Sequence, residues 1–286
     1  MRTRANDYIA LMKPRIILLL LVTALGAMFL AARGAPPLGT ALLVLAGGSL
    51  ASGGANALNH YFDRDIDQLM TRTRRRPLPS NRVEPGQALA FGVLLNVAAF
   101  VMLAGWVNLL SALLTLGATL FYILIYTKWL KRSTTQNIVI GGAAGAIPPM
   151  VGWAAVRGEI GLPALYLFAI VFFWTPPHFW ALALLLKDDY AEAGVPMLPV
   201  VRGVPETVRS IALHSIILVT ITVLFVSMEG MGWIYLGSAL GLGWAFLALA
   251  VRLLRQQSRK AARALYLYSL LYLALLFLVI AIDGSL

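Results

Sequence analysis

The sequence predicts an all-α, polytopic membrane protein in which nine transmembrane helices surround a central, lipid-accessible cavity. Of the 286 residues 60% are hydrophobic and only 12% are charged, and the mean hydropathy is +0.81. A soluble domain carries about twice that fraction of charged residues. Apolar runs of roughly 20 residues, the length that spans a bilayer, recur along the chain. No soluble segment interrupts them, so we expect one membrane-embedded domain over residues 1–286.

Nine apolar runs are the predicted spans. The first follows a basic N-terminus and lacks a convincing small-residue cleavage site, so it is interpreted as a transmembrane helix and not as a signal peptide. Only Val107 and Asn108 separate the third run from the fourth, which predicts a tight helical hairpin. The runs cover about residues 16–32, 38–60, 88–107, 110–127, 137–155, 162–185, 208–228, 232–251 and 265–283.

The basic residues predict the orientation of this bundle. With the N-terminus inside, 21 of the 23 Lys and Arg residues fall on the inner side, and only Arg33 and Arg157 lie in outer loops. The net charge of +11 then indicates contact with the anionic lipid of the bilayer and not with nucleic acid. We expect a bacterial inner-membrane protein whose N-terminus and site opening are cytoplasmic and whose C-terminus lies on the opposite side. The absence of cysteine excludes disulfides and thiolate chemistry.

Three oxygen-bearing side chains follow the second predicted span at four-residue intervals: Asn59, Asp63 and Asp67. If the span continues as a helix, they share one face. Neighbouring carboxylates repel unless a cation lies between them, and Mg²⁺ prefers oxygen ligands that it shares with substrate phosphates. This spacing therefore indicates a Mg²⁺ site, or else a solvated, salt-bridged helix end. Asp65 points away from the face and is expected to pair with an arginine.

A second acidic cluster follows the sixth predicted span, on the same side of the membrane. It consists of Asp188, Asp189 and Glu192 and directly follows Lys187. Two acidic helix ends that face each other would suit two metal ions and a diphosphate between them.

Basic residues accompany the first acidic cluster in two places. They are Arg72, Arg74, Arg75 and Arg76 in a proline-rich loop, and Lys128, Lys131 and Arg132, with Tyr126, at the end of the fourth span. Some of these cations satisfy the positive-inside rule. A planar guanidinium also matches phosphate oxygens bidentately, so one or two of them are expected to bind an anionic substrate.

Three stretches together resemble the UbiA-type intramembrane prenyltransferase superfamily, and within it the protohaem IX farnesyltransferases (haem O synthases). They are "NHYFDRDIDQLMTRTRRRPLP", "YTKWLKRSTTQNIVIGGAAGAIPPMVGWAA" and "TPPHFWALALLLKDDYAEAGVPMLPVVRG". The resemblance implies Mg²⁺-dependent transfer of farnesyl from farnesyl diphosphate to a vinyl group of haem B. Water adds in the same reaction, giving haem O and diphosphate. The resemblance also implies that the product is delivered to haem A synthase or a terminal oxidase.

The resemblance also assigns roles to residues. Asn59, Asp63 and Asp67 would hold Mg²⁺ and diphosphate, with the aspartates as metal ligands and not as nucleophiles. The second acidic site would use Asp188, Asp189 and possibly Glu192, which replaces the aspartate that the superfamily often has there. Whether Asp188 or Asp189 is the main ligand stays open. The residues implied for the diphosphate region are Arg72, Arg76, Lys131 and Lys187.

Histidines and aromatic residues are the candidates for contact with a porphyrin. His178 follows Pro176 and Pro177, which are expected to interrupt the sixth helix beside a cavity. It would ligate haem iron, hydrogen-bond a propionate, or bond a backbone carbonyl that the prolines free. His60 is expected to point off the aspartate face, where it contacts haem or merely lies at the interface. His214 is expected to be structural, and Trp174, Phe179 and Trp180 would line the prenyl tunnel or flank the porphyrin.

Two other functions compete with this interpretation. A prenyltransferase acting on a quinone precursor such as 4-hydroxybenzoate would share the metal site, but it should lack the His178 segment. A transporter would carry its charges near the bilayer midplane. The acidic residues here gather at one face, which argues against a transporter.

Overall fold

The computed structural model describes residues 4–286, which form an all-helical bundle. Arg2, one of the basic residues counted before the first span, lies outside this range. Nine helices within 4–286 are long and apolar enough to cross a membrane, and each corresponds to a predicted span. They are α2 (Pro14–Ala32), α3 (Leu38–Phe62), α5 (Pro85–Trp106), α6 (Leu109–Ser133), α7 (Asn137–Arg157), α8 (Leu162–Leu185), α11 (Gly203–Ser227), α12 (Trp233–Gln256) and α13 (Arg259–Asp283). The all-α, nine-span prediction is confirmed.

Four short helices complete the fold and lie before or after spans. They are α1 (Arg4–Met12), α4 (Arg64–Leu69), α9 (Lys187–Glu192) and α10 (Leu198–Val201). The last span begins six residues earlier than predicted, because Ser258 accepts a hydrogen bond from the Ala261 N–H (3.2 Å) and caps a helix that continues through basic residues.

Successive spans pack side by side, and the first span, α2, packs against both the fifth and the ninth, α7 and α13. Small residues allow the closest approaches between helices. A methyl group on Gly54 would lie 2.7 Å from the Gly92 carbonyl oxygen, and one on Gly152 would lie 2.1 Å from the Ala24 carbonyl oxygen. These glycines bring α3 against α5 and α7 against α2 at backbone distance.

Contrary to the expectation from the sequence, Pro176 and Pro177 do not interrupt their helix. Helix α8 runs without interruption through Pro176 and Pro177, and α7 runs through Pro148 and Pro149. A proline removes a backbone donor but keeps a helical φ, and neighbouring helices in a membrane bundle hold such a segment in place. The prediction of a broken helix at His178 is therefore wrong.

Candidate functional site

Asn59, Asp63 and Asp67 lie on one face, as predicted, although the helix is interrupted by a single residue. Asp63 separates α3 from α4, yet its N–H still bonds the Asn59 carbonyl (2.9 Å), and the Asp67 N–H still bonds the Asp63 carbonyl (2.8 Å). The four-residue spacing therefore survives the interruption. The three residues are only 5%, 1% and 2% exposed, so this is a buried polar face and not a solvated helix end.

Asp63 is neutralised from the fourth span. Its Oδ2 accepts hydrogen bonds from the Lys131 ammonium (2.5 Å) and from the Asn59 amide (2.7 Å). Its Oδ1 is buried and has no hydrogen-bond partner among residues 4–286, and the Arg132 guanidinium lies 3.9 Å from it. A buried carboxylate oxygen without a partner is costly, so this atom has free capacity for a ligand.

Asp67 is neutralised by its own loop. The Nη1 of Arg76 donates to both oxygens of its carboxylate, at 2.9 and 2.7 Å. The Thr73 hydroxyl donates to the Asp67 carbonyl (2.9 Å) and turns the loop back over the end of α4. The arginine-rich loop is thus fixed above the aspartate face by the aspartate itself.

The inner end of α6 is π-helical from Phe121 to Leu130, a feature that hydropathy did not indicate. The Thr127 hydroxyl donates to the Tyr122 carbonyl five residues earlier (2.9 Å) and accepts from the Asn59 amide (3.2 Å). A π-helical turn rotates the following residues, and such turns recur at functional sites. Here the helix brings Thr127 and Lys131 to the same face as Asn59 and Asp63. Tyr126 stacks on Tyr122, with ring centroids 5.5 Å apart.

Lys13 is a site residue that the sequence analysis counted only as a topological charge. It has a left-handed backbone (φ 55°) between α1 and α2, and its ammonium donates to the Asn59 Oδ1 at 2.9 Å. Burial and the nearby Arg76 guanidinium lower the pKa of Lys13 to about 7. The Asn56 amide donates to the Met12 carbonyl (2.9 Å), and Arg82 pairs with Asp7 (2.9 Å), so α1 is anchored on both sides.

The two acidic clusters meet through the arginine-rich loop. The Arg72 N–H contacts the Asp189 carboxylate at 3.4 Å. Tyr190 is buried beside them. Burial raises its pKa, and charges of both clusters, Asp63 and Asp189, add to the rise. Within the second cluster, Asp189 is half-buried while Asp188 and Glu192 are exposed. Asp189 is therefore the member that faces the first cluster.

Asp65 pairs with an arginine, as expected, on the outer side of α4. Arg132 donates to both of its oxygens, at 2.7 and 2.8 Å, and these hydrogen bonds lower the pKa of Asp65 to about 2. A pocket of about 210 Å³ opens beside the pair, between α4 and the 193–195 segment that follows α9. The two helix ends thus border an opening at this end of the bundle.

His60 does not point off the aspartate face. It is only 1% exposed, its Nδ1 lies 3.8 Å from the Asp67 Oδ2, and neither ring nitrogen has a hydrogen-bond partner among residues 4–286. The expectation assumed one continuous helix, and the interruption at Asp63 changes the position of Asp67 relative to His60.

His178 faces the last span. Its Nδ1 lies 2.7 Å from the Ser269 hydroxyl, and its ring stacks on Trp174 (4.2 Å) and Tyr266 (5.0 Å). The Trp174 indole N–H donates to the Ser269 carbonyl (2.8 Å). The histidine therefore bonds a hydroxyl and not a carbonyl freed by the prolines. His214, on α11, bonds the Ser210 carbonyl four residues earlier (2.9 Å), as a structural histidine would.

The first cluster has the chemistry of a metal and phosphate site. Its donors on Asn59, Asp63 and Asp67 are oxygen atoms, and the free Asp63 Oδ1 fits a hard cation such as Mg²⁺. No three acidic or histidine side chains within residues 4–286 are grouped closely enough to hold one cation. Lys131 and Arg76 each pair with one of the two carboxylates. A face that offers both cations and carboxylates can bind a polyanion together with its metal ion.

Comparisons with known proteins agree with this chemistry. The sequence profile of the UbiA prenyltransferase family matches residues 20–279. A protoheme IX farnesyltransferase from Gloeobacter violaceus is 53% identical over 280 residues, which cover 98% of this chain and 92% of the relative. A protoheme IX farnesyltransferase from Symbiobacterium thermophilum is 52% identical and covers 97% and 94%.

The fold also has a solved counterpart. The structure of a UbiA homolog from Archaeoglobus fulgidus bound to DMAPP and Mg²⁺ superimposes with a TM-score of 0.72, covering 96% of this chain and 99% of that one. Its sequence is only 18% identical, so the likeness concerns the fold. The profile match over most of the chain and the close relatives together establish that this chain belongs to the UbiA prenyltransferase family.

Proposed function

We propose that this chain, acting as one membrane-embedded domain, transfers the farnesyl group of farnesyl diphosphate to a vinyl group of haem B, giving haem O and diphosphate. The observation that carries the proposal is the buried pair of carboxylates, Asp63 and Asp67, each held by a cation, together with the contact of Asp189 with the arginine-rich loop that supplies Arg76. Relatives that are about half identical over almost the whole chain carry the name protoheme IX farnesyltransferase. The site and the relatives together favour haem B over a quinone precursor as the acceptor of the farnesyl group.

The polar face would bind the diphosphate. Mg²⁺, when bound by Asn59, Asp63, Asp67 and Asp189, would neutralise phosphate charge and stabilise the leaving group. Arg76 and Lys131 already hydrogen-bond carboxylate oxygens, so they can move these bonds to phosphate oxygens without leaving the site. Lys13 borders the same space through its hydrogen bond to Asn59, and Arg72, Lys187 and Tyr126 would contact the diphosphate as well. The exposed Asp188 and Glu192 would play a lesser part.

The reaction itself separates charge. The bond between farnesyl C1 and oxygen breaks with its electron pair on diphosphate, where Arg76 and Lys131 stabilise it. The vinyl group of haem B attacks the cationic C1. Water then adds to the resulting carbocation and loses a proton. Aromatic rings on α8, among them Trp174, Phe179 and Trp180, would shield the prenyl chain or the porphyrin from bulk water. His178 would contact the porphyrin through its iron or a propionate, and the buried His60 would lie by the diphosphate end.

The direct test is product formation. Membranes containing the protein, incubated with haem B, farnesyl diphosphate and Mg²⁺, should form haem O, detected by chromatography and absorbance. Membranes without the protein are the control. Prenylation of 4-hydroxybenzoate in place of haem B would contradict the proposal and support the quinone-precursor alternative.

Asp63→Asn and Asp67→Asn should each lower turnover by about 10²–10³-fold, because each removes a charge that positions a cation for the departing diphosphate. Haem O formation by equal amounts of membrane-inserted protein is the measurement. Asp65→Asn is the matched control: it lies between them in sequence, but its carboxylate pairs with Arg132 outside the face. Near-normal turnover in both site variants would refute the role.

Lys13→Ala should raise the KM for farnesyl diphosphate about tenfold or more, because a charged hydrogen bond is worth roughly 1.5–3 kcal/mol. Arg15→Ala, two residues further along and exposed, is the control for general loss of positive charge. An equal change in both variants would show that Lys13 acts only as a topological charge.

We also propose that the site opens to the cytoplasm of a bacterial cell, with the C-terminus on the other side of the inner membrane. From there haem O would pass to haem A synthase or a terminal oxidase. Because the chain has no cysteine, single cysteines report topology cleanly. A membrane-impermeant maleimide added to intact spheroplasts should label Arg157→Cys and should label Arg74→Cys only after lysis. The reverse pattern would overturn the orientation.

A further inference from the structure

The hydroxyl of Ser269 makes two short polar contacts in the interior of the bundle. One joins it to the His178 Nδ1 and the other to the Tyr266 carbonyl oxygen, both at 2.7 Å. Ser269 is fully buried. The histidine ring is fixed in orientation as well, because it is stacked between the rings of Trp174 and Tyr266.

These contacts decide which nitrogen of His178 carries the proton. A serine hydroxyl has one hydrogen, and a carbonyl oxygen can only accept. If Ser269 donated to Nδ1, its oxygen and the Tyr266 carbonyl oxygen would face each other at 2.7 Å without a proton between them. Both contacts are hydrogen bonds only if Ser269 donates to the carbonyl and the His178 Nδ1–H donates to Ser269. The Nε2 of the neutral ring then carries a lone pair.

A nitrogen with a lone pair can ligate a metal, but it cannot donate a hydrogen bond to a carboxylate. Of the two porphyrin contacts open to His178, the iron therefore fits and the propionate does not. Nε2 also forms no hydrogen bond with any residue in the range 4–286, so it is available. A metal-bound histidine characteristically donates its other N–H to a neighbouring acceptor that orients the ring.

We propose that Ser269 is a positioning residue that holds His178 in the Nδ1–H form, so that Nε2 ligates the iron of the porphyrin substrate. This inference rests on the proposed function, because it requires haem B as the acceptor. It places the porphyrin beside the Nε2 of His178 on α8, and it gives the enzyme a means of distinguishing an iron porphyrin from a metal-free one.

The test compares the binding of haem B and of metal-free protoporphyrin IX to the purified protein. His178→Ala and Ser269→Ala should each weaken haem B binding about tenfold or more, the usual effect of losing an orienting partner. Both should leave protoporphyrin IX binding within about twofold, which also shows that the variants are folded. The Soret band and electron paramagnetic resonance spectrum of bound ferric haem should lose the signature of a nitrogen ligand.

Two further variants separate positioning from packing. Ser269→Thr keeps the hydroxyl and should retain the wild-type spectrum. Ser215→Ala removes another buried serine, which bonds the Ile211 carbonyl (2.7 Å) on α11, and should change neither binding nor spectrum. Equal losses for both porphyrins in His178→Ala would indicate a propionate or packing contact and would overturn the inference. Unchanged haem binding would overturn it too. If the wild-type protein binds neither porphyrin, the proposed function itself fails.

Discussion

Two carboxylates, Asp63 and Asp67, are buried at one end of the membrane bundle, and the surrounding structure serves to neutralise them. An ionised carboxylate without a partner in such a place costs several kcal/mol. Lys131 reaches Asp63 from the fourth span, and Arg76 reaches Asp67 from the loop after α4. Segments far apart in sequence must therefore converge here. The bends in the chain, at Lys13, at Asp63 and along the π-helical end of α6, are what allow the charges to meet.

The same pairing of cations with carboxylates would suit a polyanionic substrate. Three basic side chains, Lys13, Arg76 and Lys131, accompany the two buried carboxylates. The face therefore carries no excess of negative charge in the absence of substrate. A diphosphate with its metal ion brings both signs of charge. The cations can exchange carboxylate oxygens for phosphate oxygens, and the carboxylates can exchange ammonium and guanidinium groups for metal. Since each exchange would replace one charged contact with another, these protein side chains would lose little further hydration when substrate binds.

The sequence predicted the nine spans and one face of the candidate site. Hydropathy located all nine spans, and four-residue spacing placed Asn59, Asp63 and Asp67 on one face, because both signals are local. It missed Lys13 and Thr127, since their contacts with Asn59 depend on the packing of three spans. It was wrong about His60, which was judged from one continuous helix, and about Pro176 and Pro177, which were expected to interrupt theirs. Asp188 and Asp189 are distinguished only by tertiary structure: the arginine-rich loop contacts Asp189, and Asp189 is the less exposed of the two.

His178 and Asp189 lie on consecutive helices, α8 and α9, which a single residue, Leu186, separates. Asp189 follows His178 by eleven residues, a helical path of about 16 Å. If His178 held the iron while Asp189 and the arginine-rich loop held the diphosphate, the haem vinyl group and the farnesyl C1 attached to that diphosphate would have to meet between these two points. The packing of α8 and α9 would therefore set the distance between the two substrates.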